Sequence, residues 1–151
     1  MQLAHSKWTP KQRLDRNDSR DACYRHSKTV GIRDIKLFSE ITGDRNPLHY
    51  DQAAARESLI GDLTVQGGVS SRILNAIVAE DLPGPGTVFL GTELKFMKAV
   101  YVGDTISGRV EVTSVRPDKP ICTLAVSVRN QKDEVCLSGT ATTYTAPLSR
   151  P

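Results

Sequence analysis

At Gly86 the hydrophobic pattern of this chain changes period, and few architectures accommodate both halves. Upstream, in "GGVSSRILNAIVAEDLPGPG", Val69, Ile73, Leu74, Ile77 and Val78 recur at helical spacing, and the run closes on the breakers Pro83, Gly84 and Pro85. Few polar residues interrupt it, so the segment predicts a helix buried on most of its circumference. Downstream the period is two. Val88, Leu90, Thr92, Leu94 and Phe96 share one face; Ile106, Gly108, Val110 and Val112 a second; Cys122, Leu124, Val126 and Val128 a third; Val135, Leu137, Gly139 and Ala141 a fourth. The connections "VGD" (102–104), "RPDKP" (116–120) and "NQKDE" (130–134) carry turn chemistry, so consecutive strands are expected to pair antiparallel. One long helix followed by such a series predicts an α+β domain whose sheet wraps the helix.

Composition narrows the partners. With 151 residues the chain is long enough to bury one core without metal or disulfide staples. A net charge of +3, spread rather than gathered into a stripe, makes nucleic acid an unsuitable partner and leaves an anionic small substrate compatible. Cys23, Cys122 and Cys136 form an odd set without metal-ligand spacing, so neither a disulfide framework nor a metal site is expected, and a reducing compartment is read. No apolar run approaches the roughly 20 residues of a membrane-spanning helix, so no membrane association is expected. Residues 1–28 carry seven Lys/Arg but also Asp15, Asp18 and Asp21, unlike the acid-poor leaders of organelle proteins. A cytoplasmic location is expected, with a mitochondrial one as the alternative. These residues read as a partly ordered arm or a first edge strand, pinned by Trp8, ahead of a single domain over 29–151; His5 and His26 within the arm read as solvated.

The densest chemistry lies in "ITGDRNPLHYD", Ile41 to Asp51. A helix over Ile32 to Ile41 leads into it and Gly43 stops that helix; a second helix is predicted over Gln52 to Glu57, capped by Asp51. Pro47 fixes its own φ and pushes Asn46 toward extended backbone, so Asp44 and His49 are expected on a turn rather than a regular helix face. Asn46 is suited to lock that turn through nearby backbone groups. A carboxylate and an imidazole converging on one water make an acid/base pair, chemistry suited to adding or removing water. The same residues also make a good turn and helix cap with no catalytic role. Gly67 and Gly68 at the start of the long helix offer unpaired N–H groups to a developing oxyanion, or serve close helix-to-sheet packing.

The run "FSEITGDRNPLHYDQAAA", Phe38 to Ala55, resembles the signature of the R-specific enoyl-CoA hydratases, or MaoC-like dehydratases, at Phe38, Gly43, Asp44, Asn46, Pro47, Leu48, His49 and Ala55. Downstream, "LPGPGTVFLGTELKFMKAVYVGDTISGRVEVTSVRPDKP" is similar to that family's strand region. The resemblance implies the hot-dog fold, working as a homodimer or a double hot dog, and reversible hydration of trans-2-enoyl thioesters of CoA or acyl carrier protein without metal or redox cofactor. It further implies that Asp44 and His49 position and activate water and that the Gly67 amide meets the thioester oxygen.

Two departures from the family pattern bear on the site. Gln66 stands where His is common before the glycine, and Asn75 stands where a serine is frequent, with Ser71 one turn earlier. Asn46, Gln66, Gly68, Ser71 and Asn75 are accordingly expected to bind substrate or support the pair, and Gly68, in place of a larger apolar residue, to widen the acyl pocket. Arg45, Lys98 and Lys119 read as solvated rather than carrier-binding. Two rival functions share the fold: a thioesterase, which usually carries its carboxylate on the long helix, where this chain has no acid before Glu80, and a non-catalytic acyl-thioester-binding subunit, suggested by Gln66 and Asn75.

Overall fold

The computed structural model describes residues 23–148; the anchoring role expected of Trp8 and the solvation expected of His5 lie outside the described residues. Strand β1 (Cys23–Thr29) leads into helix α1 (Ile32–Thr42), the single turn α2 (Pro47–Tyr50), the short helix α3 (Gln52–Glu57) and the long helix α4 (Gly67–Glu80). Then come β2 (Thr87–Phe96), β3 (Thr105–Val115), β4 (Ile121–Arg129) and β5 (Val135–Thr145). All five strands form one sheet in the order β1-β3-β4-β5-β2, with every neighbouring pair antiparallel.

The core lies where the apolar stripe of α4 meets the alternating residues of the sheet. Val69, Ile73, Leu74, Ile77 and Val78 pack into one cluster with Ile106, Val110, Leu124, Val126 and Leu137. Each such side chain, fully buried, contributes about 1.5–3 kcal/mol. Gly108 sets the closeness of the helix: a Cβ there would lie 2.8 Å from Cγ2 of Ile73. This is the α+β, hot-dog arrangement of a helix wrapped by an antiparallel sheet. The end of the N-terminal arm is its edge strand, with His26 exposed and opposite Gly108.

The structure departs from three expectations. First, β2 and β3 do not pair; β2 lies along β5, with Leu94 opposite Gly139. The stretch between them is a crossing segment rather than a turn. Its backbone bonds the segment before α4: Val65 N–H donates to Val100 O (2.9 Å), Val102 N–H donates to Leu63 O (3.3 Å), and Thr64 bridges Tyr101. Second, α4 is not buried on most of its circumference. Asn75, Ala76, Ala79 and Glu80 are exposed, because the sheet covers one side and alanine does not mark a face. Third, the alternation of β2 breaks at a bulge between Phe89 and Gly91 that displaces Leu90, and that of β5 breaks where the register slips at Val128/Arg129. Cys136 and Leu137 are buried there, while Val135 is only half-buried.

Candidate active site

Local rules bring Asp44 and His49 together. Helix α1 stops because Gly43 adopts φ 79°, a left-handed conformation open to glycine, and its N–H donates to Ser39 O (2.7 Å). The chain then extends, and Asp44 Oδ1 accepts from Asn46 N–H (3.0 Å) while Asn46 Oδ1 accepts from Leu48 N–H (3.1 Å). Asn46 is thus the N-cap of α2, as its type suggests. His49, however, sits on a one-turn helix rather than a bare turn. Pro47 occupies the first turn of that helix, where its missing N–H has no intrahelical role. Asp51 caps α3 by accepting from Ala54 N–H (3.1 Å).

Asp44 Oδ2 lies 3.7 Å from His49 Nε2, with the imidazole largely buried at 12% exposure and the carboxylate more open at 38%. Nδ1 of His49 is 2.7 Å from Thr64 O, a carbonyl that can only accept, so Nδ1 carries a proton and Nε2 faces the carboxylate. The gap between Nε2 and Oδ2 is too long for a direct hydrogen bond, yet one water at about 2.8 Å from each fits across it. Thr64 is itself buried and held by Leu48 O, which accepts from its N–H at 3.2 Å. Three residues beyond Thr64 begins α4, so the imidazole is anchored to the segment that delivers the helix mouth.

At that mouth Gln66 is the N-cap but gives no side-chain cap, and Gly67 N–H, in the first turn, has no intrahelical acceptor. The Phe96 ring lies over this turn, 3.0 Å from where a Gly67 Cβ would sit. Gly68 does not widen a pocket. Its missing side chain is replaced by the Phe38 ring, whose Cζ lies 2.0 Å from the position of an added Cβ. Ser71 turns back on the helix and donates to Gly68 O (3.2 Å). Asn75 is exposed, and eight residues of helix place it about 12 Å along the axis from Gly67. Lys98 is ion-paired with Glu134, while Arg45 and Lys119 are exposed.

Gln66 is buried, and its Nε2 donates to Ser39 Oγ (3.0 Å) and Ile35 O (3.3 Å). Ser39, Tyr50, Thr64 and Phe96 are the residues around the site that sequence reasoning missed. Ser39 had a signal: with Ile35 it lies on the buried stripe of α1 at i, i+4 spacing, where a polar residue needs a partner. Thr64 acts through its carbonyl and leaves no side-chain signal.

A family model of the MaoC like domain matches residues 10–136, and the chain belongs to that family. It is 35% identical over 117 residues to an (R)-specific enoyl-CoA hydratase of Aeromonas caviae, covering 78% of this chain and 87% of the relative. A 3-hydroxybutyryl-CoA dehydratase of Methylorubrum extorquens is 34% identical over 114 residues, covering 76% of this chain and 72% of the relative. Among solved structures, the (R)-hydratase from A. caviae involved in PHA biosynthesis superposes with a TM-score of 0.79 at 33% identity, covering 82% of this chain and 94% of that one.

Proposed function

We propose that this chain is a hydro-lyase that adds water to trans-2-enoyl thioesters to give (R)-3-hydroxyacyl thioesters, and catalyses the reverse dehydration, with Asp44 and His49 as its acid/base pair. The observation that carries this reading is the 3.7 Å approach of Asp44 Oδ2 to His49 Nε2, with Nδ1 already committed to Thr64 O. In hydration, water forms a C–O bond to C3 as one member of the pair takes its proton. The C2–C3 double bond opens onto the thioester carbonyl, whose growing negative charge meets the N–H of Gly67. C2 then takes that same proton back from the pair, directly or after it has passed between carboxylate and imidazole, so the pair returns to its starting state. No metal or redox cofactor enters that sequence. The acyl group is carried by CoA or by acyl carrier protein; relatives named for each carrier are about equally similar, at 35% and 31% identity.

The same reading includes a homodimer. Among the described residues strand β2 is a sheet edge that exposes Val88, Leu90 and Phe96 at 54%, 57% and 58%, beside Met97 at 64%. Unpaired strand edges with apolar side chains invite pairing, and a second copy of the chain would cover them. Among the described residues no helix is long and apolar enough to cross a membrane.

The test is incubation with crotonyl-CoA. Loss of enoyl absorbance without free thiol, with (R)-3-hydroxybutyryl-CoA as product, supports hydration; stoichiometric thiol release would establish the thioesterase instead. Asp44→Asn keeps the Asn46 N–H contact through its amide oxygen but removes the carboxylate charge, and is expected to lower kcat by about 10²–10⁴-fold. Unchanged turnover in that variant refutes the assigned pair.

A further inference from the structure

Ser39 lies on none of the surfaces that substrate can touch, being 2% exposed, yet three segments of the site meet on its hydroxyl. Its Oγ donates to Asp44 O (2.5 Å), accepts from Gln66 Nε2 (3.0 Å), and accepts from the Tyr50 hydroxyl. The donor and acceptor roles follow from the partners. Asp44 O is a carbonyl and takes only a donor, so the one serine proton goes there. The tyrosine O–H then donates to serine, its much nearer acceptor, with Ile35 O second at 3.5 Å, and the Gln66 amide presents its NH₂ to both Oγ and Ile35 O. A hydroxyl has one proton and two lone pairs, and here all three are used.

These contacts join the parts of the site whose relative placement matters for chemistry. Asp44 carries the carboxylate, Tyr50 follows His49 on α2, and Gln66 precedes the Gly67 amide. We infer that Ser39, with Tyr50 and Gln66 as its two donors, is a positioning residue that sets the Asp44 carboxylate against His49 and against the mouth of α4. The inference rests on the acid/base reading above and adds to it the device that fixes the geometry of the pair. Gln66 thereby has a role that needs no substrate contact. Its second amide atom, Oε1, is buried without a partner among the described residues, so the side chain is held by its donors alone.

Removing the Ser39 hydroxyl leaves Asp44 O, the Tyr50 O–H and a Gln66 N–H each without this partner. A carboxylate released by about 1 Å costs roughly 10²-fold in rate when orientation is lost. Ser39→Ala is therefore expected to lower kcat by about 10- to 100-fold while KM stays within about twofold, since no substrate contact is removed. Tyr50→Phe removes one donor only, and a loss of about fivefold is expected from one hydrogen bond. The two changes should not multiply: in a Ser39→Ala background, Tyr50→Phe removes a hydroxyl that has already lost its nearer acceptor and keeps only the 3.5 Å contact with Ile35 O, so the double variant should come close to Ser39→Ala. Ser39→Thr keeps the hydroxyl and should retain more activity than alanine. A readout independent of turnover is the imidazole signal of His49 by NMR, assigned by its loss in His49→Gln; it should shift in Ser39→Ala and not in an exposed control such as Arg45→Gln.

Each failure has a different meaning. If Asp44→Asn abolishes turnover but Ser39→Ala leaves both kcat and the His49 signal unchanged, the positioning role is wrong and the acid/base reading stands. If Asp44→Asn changes nothing, the acid/base reading fails, and the positioning role falls with it even if the His49 signal moves. Equal multiplicative losses in the double variant overturn the shared-hub claim.

Discussion

Gly68→Ala tests the replacement of a side chain by a neighbour's ring. The added Cβ would lie 2.0 Å from Cζ of Phe38, 2.4 Å from Cε2 and 3.1 Å from Cε1. Carbon atoms in contact sit about 3.5–4.0 Å apart, so the ring must retreat by roughly 1.5 Å or leave its rotamer. Overpacking costs about 1–3 kcal/mol, and approaches of 2.0 and 2.4 Å put this one in the upper half of that range, about 2–3 kcal/mol. Alanine in a helix recovers up to about 1 kcal/mol relative to glycine, which leaves a net destabilisation of about 1–2 kcal/mol. For a chain of this size that corresponds to a fall in Tm of about 2–8 °C. The assay is thermal unfolding of wild type, Gly68→Ala, Phe38→Leu and the double variant at one protein concentration, because association shifts Tm. Leucine shortens the reach of residue 38, so the double variant should lose less than the sum of the singles. An unchanged or raised Tm in Gly68→Ala, or strict additivity in the double variant, would refute the seating of the ring on α4.

Two further outcomes follow from other parts of the molecule. Burial works to raise the Asp34 carboxyl, but the Gly31 N–H at 2.8 Å, the Arg72 guanidinium at 2.7 Å and Lys28 together hold it below its ordinary value of 3.8. Its ionised form therefore stabilises the fold fully above the ordinary carboxylate value, and that contribution disappears as pH falls through the lower folded value. Asp34→Asn is expected to cost about 1–3 kcal/mol near neutrality, discounted for the partly exposed Arg72, and urea titrations should find this difference shrinking as pH drops through the acid range; a gap that widens on acidification contradicts the sign. At the other edge of the sheet, Val88→Lys places a charge where a second copy is proposed to lie. Given about 1.5–3 kcal/mol for burying a valine-sized side chain, dimer dissociation measured by light scattering should strengthen by at least tenfold, and an unchanged dimer rules out β2 as the contact.

What the amino acids disclosed of the fold depended on whether a local pattern decided the matter. Helix α4 and the alternating faces of β3 and β4 were legible because burial there repeats at the period of the element. The pairing of β2 with β5 was not, since a turn signal at Val102 to Asp104 looks the same whether or not Met97 to Tyr101 crosses to another segment. That choice is made by Leu63, Thr64 and Val65, whose backbone groups receive the crossing chain more than thirty residues away in sequence. The bulge at Leu90 was hidden for a similar reason: one extra residue in β2 exists only relative to β5.

At the site, the same distinction separates Asn46 from Ser39. The Asn46 side chain bonds Leu48 N–H two residues on, and the Pro47 beside it fixes where α2 begins, so eleven residues were enough to see that Asp44 and His49 converge. Local bonding sets the direction of the loop but not its depth against α4. That depth is set by contacts spanning 27 residues from Gln66 to Ser39 and 15 from His49 to Thr64 O. The imidazole illustrates why both scales are needed. Held only by α2, its ring could turn about its side-chain bonds; once Thr64 O accepts from Nδ1, only Nε2 can face Asp44. A carbonyl contributed by any residue type at position 64 would serve, so the contact that orients this imidazole has no residue-type signature and follows from the path of the backbone into α4.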